Sequence, residues 1–339
     1  MNKLYHILII AFGLPAFSFC QDPQYSQFYA AKTYLNPGFA GTGNIQSRAV
    51  MNYRNQWPSF PNAFVSYNFS LDHKFQEINS GVGILFTHDK AGEGGLRFNT
   101  VKFQYSYEFQ VSKDIFVRPG VEIGFASGNI DISKLTFGDE LLRDAPTIEH
   151  SRGNVSYVDP SGGVIAYNER SWLGVSGHHL NEANIALSSG DGNLPTKLSV
   201  HGGHRLKLPI KKKSTSEDGR GDKIYHELIL AANYKLQGKW DQFDIGAYYE
   251  TFPLLFGTWY RGLPGIKSNN SNIINQDALI FMVGYTPIKN LNFAYSYDLT
   301  ISKLASNTGG SHEVSLIFNF KSYEKPPISS QKRVPCPKF

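Results

Sequence analysis

Two cysteines in 339 residues cannot build a disulfide framework. Only 18% of the side chains are charged and no low-complexity repeat runs through the chain, which excludes a disordered protein, a collagen-like repeat and a coiled coil. The formal charge of +5 is modest and the basic residues are scattered, so no nucleic-acid surface is indicated. No serine-centred elbow, HExxH pair or phosphate-cradling glycine loop is present, and neither a catalytic residue nor a cofactor is assigned. Beyond residue 20, no apolar run approaches the ~18 residues of a spanning helix. What the chain does have is 32 glycines, 19 tyrosines and 24 phenylalanines. Aromatic residues pack on pleated faces and glycine marks turns and bulges, so this balance points to β structure.

Residues 1–20 read as an export signal. Lys3 supplies the positive start, Leu4 to Leu14 the apolar stretch, and Ser18-Phe19-Cys20 the small-x-small cleavage site, which places the mature start near Gln21. Acylation of Cys20 is the alternative, opposed by the bulky Phe17 and Phe19 beside it. If Cys20 leaves with the signal, Cys336 is a lone thiol in an oxidising compartment.

Period two dominates the remainder. Val101, Phe103, Tyr105, Tyr107 and Phe109 alternate with Thr100, Lys102, Gln104, Ser106 and Glu108. Leu291, Phe293, Tyr295, Tyr297 and Leu299 alternate with polar or small residues, as do Val314, Leu316, Phe318 and Phe320, with Ile317 the one exception in that last row. Similar rows begin at Val65, Ile115, Leu228, Phe243 and Leu279, and weaker ones lie near 46–54, 79–88, 157–168, 170–180, 196–206 and 253–261. Pro119 and Pro160 count against two of these strands, because proline cannot donate to a ladder. The total is fourteen strands, each near the 9–11 residues that cross a bilayer when tilted. A mean hydropathy of -0.29 suits a soluble protein, but a membrane barrel of alternating strands gives a similar average.

Connection lengths test the barrel. With the amino terminus on the periplasmic side, the outer loops are approximately 55–62, 89–94, 127–156, 181–195, 236–241, 262–276 and 301–311. The inner turns fall near 72–78, 110–113, 169, 207–224, 251–252 and 287–289, all short except 207–224. Short inner turns and longer outer loops are the habit of outer-membrane barrels. A soluble two-sheet sandwich also alternates and is the competing architecture. The expectation is therefore an all-β, transmembrane antiparallel barrel of about fourteen strands with a short amino-terminal periplasmic segment. Its divisions are a signal at 1–20, a segment or plug at 21–45, the barrel at 46–321 and a periplasmic tail at 322–339.

Three stretches carry a family resemblance. The first is Gln21-Asp22-Pro23-Gln24-Tyr25-Ser26-Gln27-Phe28-Tyr29, the second Leu35-Asn36-Pro37-Gly38-Phe39-Ala40-Gly41, and the third Tyr53-Arg54-Asn55-Gln56-Trp57-Pro58. Together they resemble the PorP/SprF family of outer-membrane proteins of type IX secretion and gliding motility, and the strand pattern extends the likeness over the mature chain. The resemblance implies an integral outer-membrane barrel that assists secretion and surface attachment of cargo proteins with C-terminal sorting domains, gliding adhesins among them. It implies as partners that cargo and the periplasmic and outer-membrane components of the secretion machinery. A passive pore for small solutes and a soluble binding protein remain the alternatives.

Within those stretches, Asp22 or Ser26 is suited to cap a short helix over Gln27 to Tyr34 that ends before Asn36-Pro37, because a residue before proline avoids helical angles. Such a helix would rest in the periplasmic mouth as a plug or as a contact for a partner. Trp57 reads as an interfacial aromatic or as a cargo contact. Lys211, Lys212 and Lys213 open the one long inner loop, either as a solvated run or as a site for a periplasmic partner. His178, His179, His201 and His204 fall on neighbouring strands, but His201 and His204 face opposite ways and no metal is assigned. Lys102, Glu108, Arg118 and Glu122 are expected in the lumen as ion-paired groups.

Overall fold

The computed structural model describes residues 22–43, 46–60, 64–92, 95–131, 153–187, 191–208, 226–238, 240–263, 276–288, 290–302 and 308–320. The export signal with Cys20, the tail with Cys336, Lys211 to Lys213 and most of the loop expected at 127–156 lie outside these residues.

One antiparallel sheet contains β1 (Ser47–Gln56), β2 (Phe64–Phe75), β3 (Ser80–Ala91), β4 (Leu96–Tyr107), β5 (Phe109–Gln110), β6 (Phe116–Asn129), β7 (Asn154–Tyr167) and β8 (Ser171–His178). It continues through β9 (Lys197–Leu208), β10 (His226–Gln237), β11 (Trp240–Thr251), β12 (Leu254–Gly262), β13 (Gln276–Ile288), β14 (Leu291–Thr300) and β15 (Ser311–Phe320). Consecutive strands pair except β4 and β5, which both pair with β6, and β1 pairs with β15. The sheet therefore closes on itself. The two residues of β5 continue β4 past a break at Glu108, so the wall is fourteen strands round. Closure removes every sheet edge that the competing sandwich would keep, which is what hydrocarbon demands of a β structure.

Both proline objections dissolve in the ladder. Pro160 accepts from the Leu180 N–H through its carbonyl on the side that β8 does not reach, since β7 pairs with β8 only over Gly162 to Tyr167. Pro119 stands opposite the Glu108 break, where β6 passes from β4 to β5. In each place a ladder donor is dispensable.

The apolar set of each strand faces outward. Met51, Phe103, Val121 and Phe125 are among the most exposed large apolar side chains, and they form the outer band a bilayer requires. The inward set is polar on β2, β3, β4 and β6, with Ser66, Asn68, Ser70, Asp72, Thr87, Lys102, Gln104, Arg118 and Glu122 all buried. The other strands mix buried polar groups with an apolar patch. Val50, Ile165, Ile229, Leu255, Ile280 and Ile317 point inward and are fully buried, in one cluster with Tyr29, Ala30 and Phe39. Ile317 is the apolar exception in the inward polar row of β15 because it joins this cluster opposite Val50.

Connections at one end are short: 76–79, 111–115, 168–170, 252–253 and 289–290, with 209–225 the exception. The other end holds 57–63, 130–153, 179–196, 263–275 and 301–310, besides the tight turns 92–95 and 238–239.

Residues 22–43 run inside the barrel, making their contacts with inward side chains of the wall. The segment's one α-helix, α1, spans Lys32–Leu35, shorter than the expected helix over Gln27 to Tyr34. Ala31 precedes it without a side-chain cap. Asp22 and Ser26 do not cap it, because both are taken up by charged groups of the wall. The helix does stop at Asn36, ahead of Pro37, and Asn36 instead caps the 3-10 turn Pro37–Phe39.

Candidate functional site

Three groups of charged side chains hold the segment along its length. Nearest the long connections, Ser26 and Gln27 meet β1, β12, β14 and β15. The backbone N–H groups of Ser26 and Gln27 donate to the two carboxylate oxygens of Glu313 at 2.7 and 3.2 Å. Ser26 Oγ donates to Asp298 at 2.7 Å and accepts from Arg54 at 2.9 Å and Arg261 at 3.0 Å. Arg54 pairs with Asp298 at 2.8 Å and Glu313 at 3.3 Å, while Arg261 pairs with Asp244 at 2.8 Å and Asp298 at 3.1 Å. Lys235 adds a contact to Asp244 at 3.9 Å and lies over the Phe28 ring. Three cations thus balance three carboxylates in a water-poor space, the condition under which buried charge is tolerated.

The second group fastens the leading end. His179, at φ +58 just past β8, bonds Asp22 at 2.8 Å through Nε2 and Asp159 at 2.9 Å through Nδ1. Lys197 completes the grip on Asp22. Burial pushes the Asp22 carboxyl up, but His179 and Lys197 outweigh it and hold the group well below the usual carboxylate range. Burial likewise pushes His179 down, and Asp22 and Asp159 more than reverse that, leaving its pKa raised. The network continues inward: Lys102 pairs with Asp159 at 3.0 Å and with Glu122 at 2.9 Å, and Gln104 links Glu122 to the Thr33 carbonyl.

The third group lies by the short connections. Arg118 donates to the carbonyls of Ala40 at 2.8 Å and Gly38 at 3.3 Å and pairs with Glu108 at 2.9 Å, which Tyr167 also bonds. The Gly41 N–H donates to Asp72 at 3.0 Å, itself paired with Arg48. Wall glycines let the two backbones touch here. A Cβ on Gly120 would stand 2.3 Å from the Gly38 nitrogen, and one on Gly81 2.2 Å from the Ala40 oxygen. Gly163 makes the same room for the Asn36 amide, which donates to the Val175 carbonyl at 3.0 Å.

The residues of the family-like stretches separate into two sets. Asp22, Gln27, Asn36, Ala40, Gly41 and Arg54 take part in the groups above. Pro23 accepts from the Tyr34 hydroxyl at 2.9 Å, Tyr25 packs edge-on against Tyr34, and Pro37 opens the 3-10 turn. Gln56 and Trp57 sit on the rim instead, where Gln56 ends β1 and Trp57, at φ +60, bonds Gly310 and packs on Phe64. Of the four histidines, His204 faces outward beside Ser171 while His178, His179 and His201 are buried. Among the described residues no group of three or more His, Cys, Asp or Glu is placed to hold a metal ion. Arg261, Asp244, Asp298 and Glu313 were not distinguishable in the sequence as partners of the segment. Their only mark is a charge on the inward register of an apolar strand.

Comparison with solved structures returns outer-membrane barrels and channels. The chain is 8% identical to the Acinetobacter baumannii outer membrane protein Omp33, at a TM-score of 0.45, with 81% of this chain and 98% of that one covered. It is 10% identical to the P. putida toluene transporter TodX, also at a TM-score of 0.45, covering 85% and 93%. It is 13% identical to the monoaromatic hydrocarbon channel CymD at a TM-score of 0.42, covering 87% and 94%. No curated protein matches. The family described as "Type IX secretion system membrane protein PorP/SprF" matches residues 17–318, which is nearly the whole barrel together with the segment inside it. This closed outer-membrane barrel with an occupied lumen belongs to the PorP/SprF family of type IX secretion membrane proteins.

Proposed function

We propose that the protein is a non-enzymatic outer-membrane accessory of type IX secretion that assists export of cargo bearing a C-terminal sorting domain and holds it at the cell surface, gliding adhesins being one such class. The observation that carries this reading is the lumen itself. A segment tied to the wall by the Asp22 ion pairs at one end and by hydrogen bonds to buried charged side chains at the other leaves the barrel a rigid anchor and works against a passive pore for small solutes. In this reading the long connections, chiefly 127–156 and 181–195, supply cargo specificity and the embedded wall prevents release. The inner face, including Lys211, Lys212 and Lys213, couples to periplasmic components of the machinery.

The test is removal of 130–153 with barrel assembly verified. Cargo should be released from the cell surface, and undiminished cargo display in that strain removes the proposal. Recordings on purified protein in planar bilayers add a second check: an anchor is silent, whereas a steady open conductance restores the pore.

A further inference from the structure

Residues 22–43 begin among partners at one end of the barrel and finish among partners at the other. Asp22 touches His179, the first residue past β8, and Lys197, the first of β9, both at the end of the long connections. Ser26 meets Arg54, Arg261, Asp298 and Glu313, each close to that same end of its strand. Asn36 then reaches Val164 and Val175 within β7 and β8. Gly38 and Ala40 meet Arg118 at the start of β6 and Ser106 at the end of β4, and Gly41 meets Asp72 near the end of β2. These last residues all lie by the short connections, where β1 begins.

We infer that the amino-terminal segment crosses the full wall and brings its leading end to the outer mouth, so that a cargo polypeptide docking there docks on the segment's own start. Two observations carry it. The segment's two ends lie at opposite mouths: the chain folds back once near the outer end, where Tyr34 meets Pro23 and Lys197 and Leu35 meets His178, and then runs to the inner partners of Gly38 to Gly41. The leading end is also latched rather than loose, with Asp22 held by His179 and Lys197 beside a cavity of about 50 Å³ lined by Asp89, Lys102 and Asp159 as well. The mouth of the long connections is the outer one by the rule that external loops exceed periplasmic turns. The traversal stands apart from the cargo reading above; the docking half rests on it.

Single-cysteine variants in full-length protein with Cys336→Ser decide the traversal. Pro23→Cys is expected to react with a membrane-impermeant maleimide in intact cells, as is Asp191→Cys, exposed in the 179–196 connection. Glu77→Cys, exposed in the 76–79 turn, is expected to react only after lysis. If Pro23→Cys tracks Glu77→Cys, or if Glu77→Cys labels on intact cells, the inference is overturned. Should Pro23→Cys stay unreactive even after lysis, an epitope inserted between Gln21 and Asp22 decides alone: antibody binding on intact cells upholds the traversal, and binding only after permeabilisation overturns it. A photo-crosslinking residue at Pro23 then tests docking. Capture of cargo upholds it, and its absence where cargo is still displayed overturns that half while leaving the anchoring function standing.

Discussion

Arg54 offers the sharpest perturbation of the filled lumen. Its guanidinium is 3% exposed and touches Ser26, Asp298 and Glu313, so it bridges the segment and two strands at once. Arg54→Met keeps most of the stem and removes the charge, leaving Asp244, Asp298 and Glu313 to face only Arg261 and Lys235. Removing one partner of a buried ion pair costs about 3–5 kcal/mol. At about 1.4 kcal/mol per tenfold, that is roughly 100- to 3000-fold in the opening equilibrium of the segment's outer end. Hydrogen exchange on purified protein reads this directly: protection of the amides at Ser26 and Gln27 should fall by that factor, while β6, which does not touch Arg54, keeps its own. Charge balance gives the control. Arg54→Met with Glu313→Gln restores equal numbers of cations and anions but leaves one acceptor where Ser26 and Gln27 now find two. It should recover all but about 1 kcal/mol, the net worth of one such bond. Unchanged protection in the single variant, or a double variant no better than the single, refutes the account of the segment as held by balanced buried charge.

Further outcomes are expected elsewhere. Gly120→Ala places a methyl 2.3 Å from the Gly38 nitrogen and 2.5 Å from the Pro37 carbonyl carbon, backbone atoms with no rotamer to move, so the segment shifts at about 1–3 kcal/mol. Exchange at 36–41 should rise, whereas Gly162→Ala, with its nearest atom at 3.7 Å, should leave it unchanged. The Asp22 latch should loosen as pH rises, and on the acid side only far below the ordinary carboxylate range. The raised pKa of His179 makes its contribution complete below the ordinary imidazole value, ~6.5, and lost as pH climbs through the raised one. The depressed carboxyl of Asp22 loses its contribution only as pH falls through a value well below ~3.9. A spin label at Pro23→Cys should therefore gain mobility as pH rises through the raised His179 value, and His179→Gln should remove that dependence. On the outer face, Phe103→Arg sets a charge where a 49%-exposed aromatic now lies, at a cost of about 2–4 kcal/mol if that site is near the bilayer midplane. The gel-monitored unfolding temperature of the barrel should drop, and an unchanged one removes Phe103 from the lipid band.

The wall was legible because the side-chain period of a half-buried strand is written into every one of its residues. All fourteen rows, including the weak ones near 46–54 and 253–261, fall on strands. The segment was not legible in the same way. Asp22 and Ser26 look like helix caps because local spacing cannot reveal a charged partner more than 150 residues away, such as His179 or Asp298. Ile317 looked like noise in β15 for the same reason, since an apolar residue in the inward row makes sense only with Val50 opposite and the segment's aromatics beyond. Lys102, Glu108, Arg118 and Glu122 did read correctly as lumen groups, since their facing follows from the wall's own alternation. What they bind does not: Arg118 is committed to the carbonyls of Gly38 and Ala40, and backbone carbonyls carry no sequence signature.

The apolar patch of the interior separates a filled lumen from a water channel. Eight strands enclose a space that wall side chains just fill, and sixteen to eighteen leave an aqueous pore, so fourteen strands leave room that something must occupy. Charged inward residues such as Lys102 and Glu122 fit either occupant, because water solvates them as well as a buried network does. Ile229, Leu255, Ile280 and Ile317 do not. They are fully buried against Tyr29, Ala30 and Phe39, and an open channel would wet them at about 25 cal/mol for each Å² of apolar surface exposed. Phe28 and Tyr29 add edge-on contacts to Trp259 and Tyr248 across the same seam. The segment is thus part of the barrel's hydrophobic core as well as a strap across it. Opening a path through this barrel means dismantling core packing and three sets of ion pairs together, a demand that fits an anchor better than a conduit.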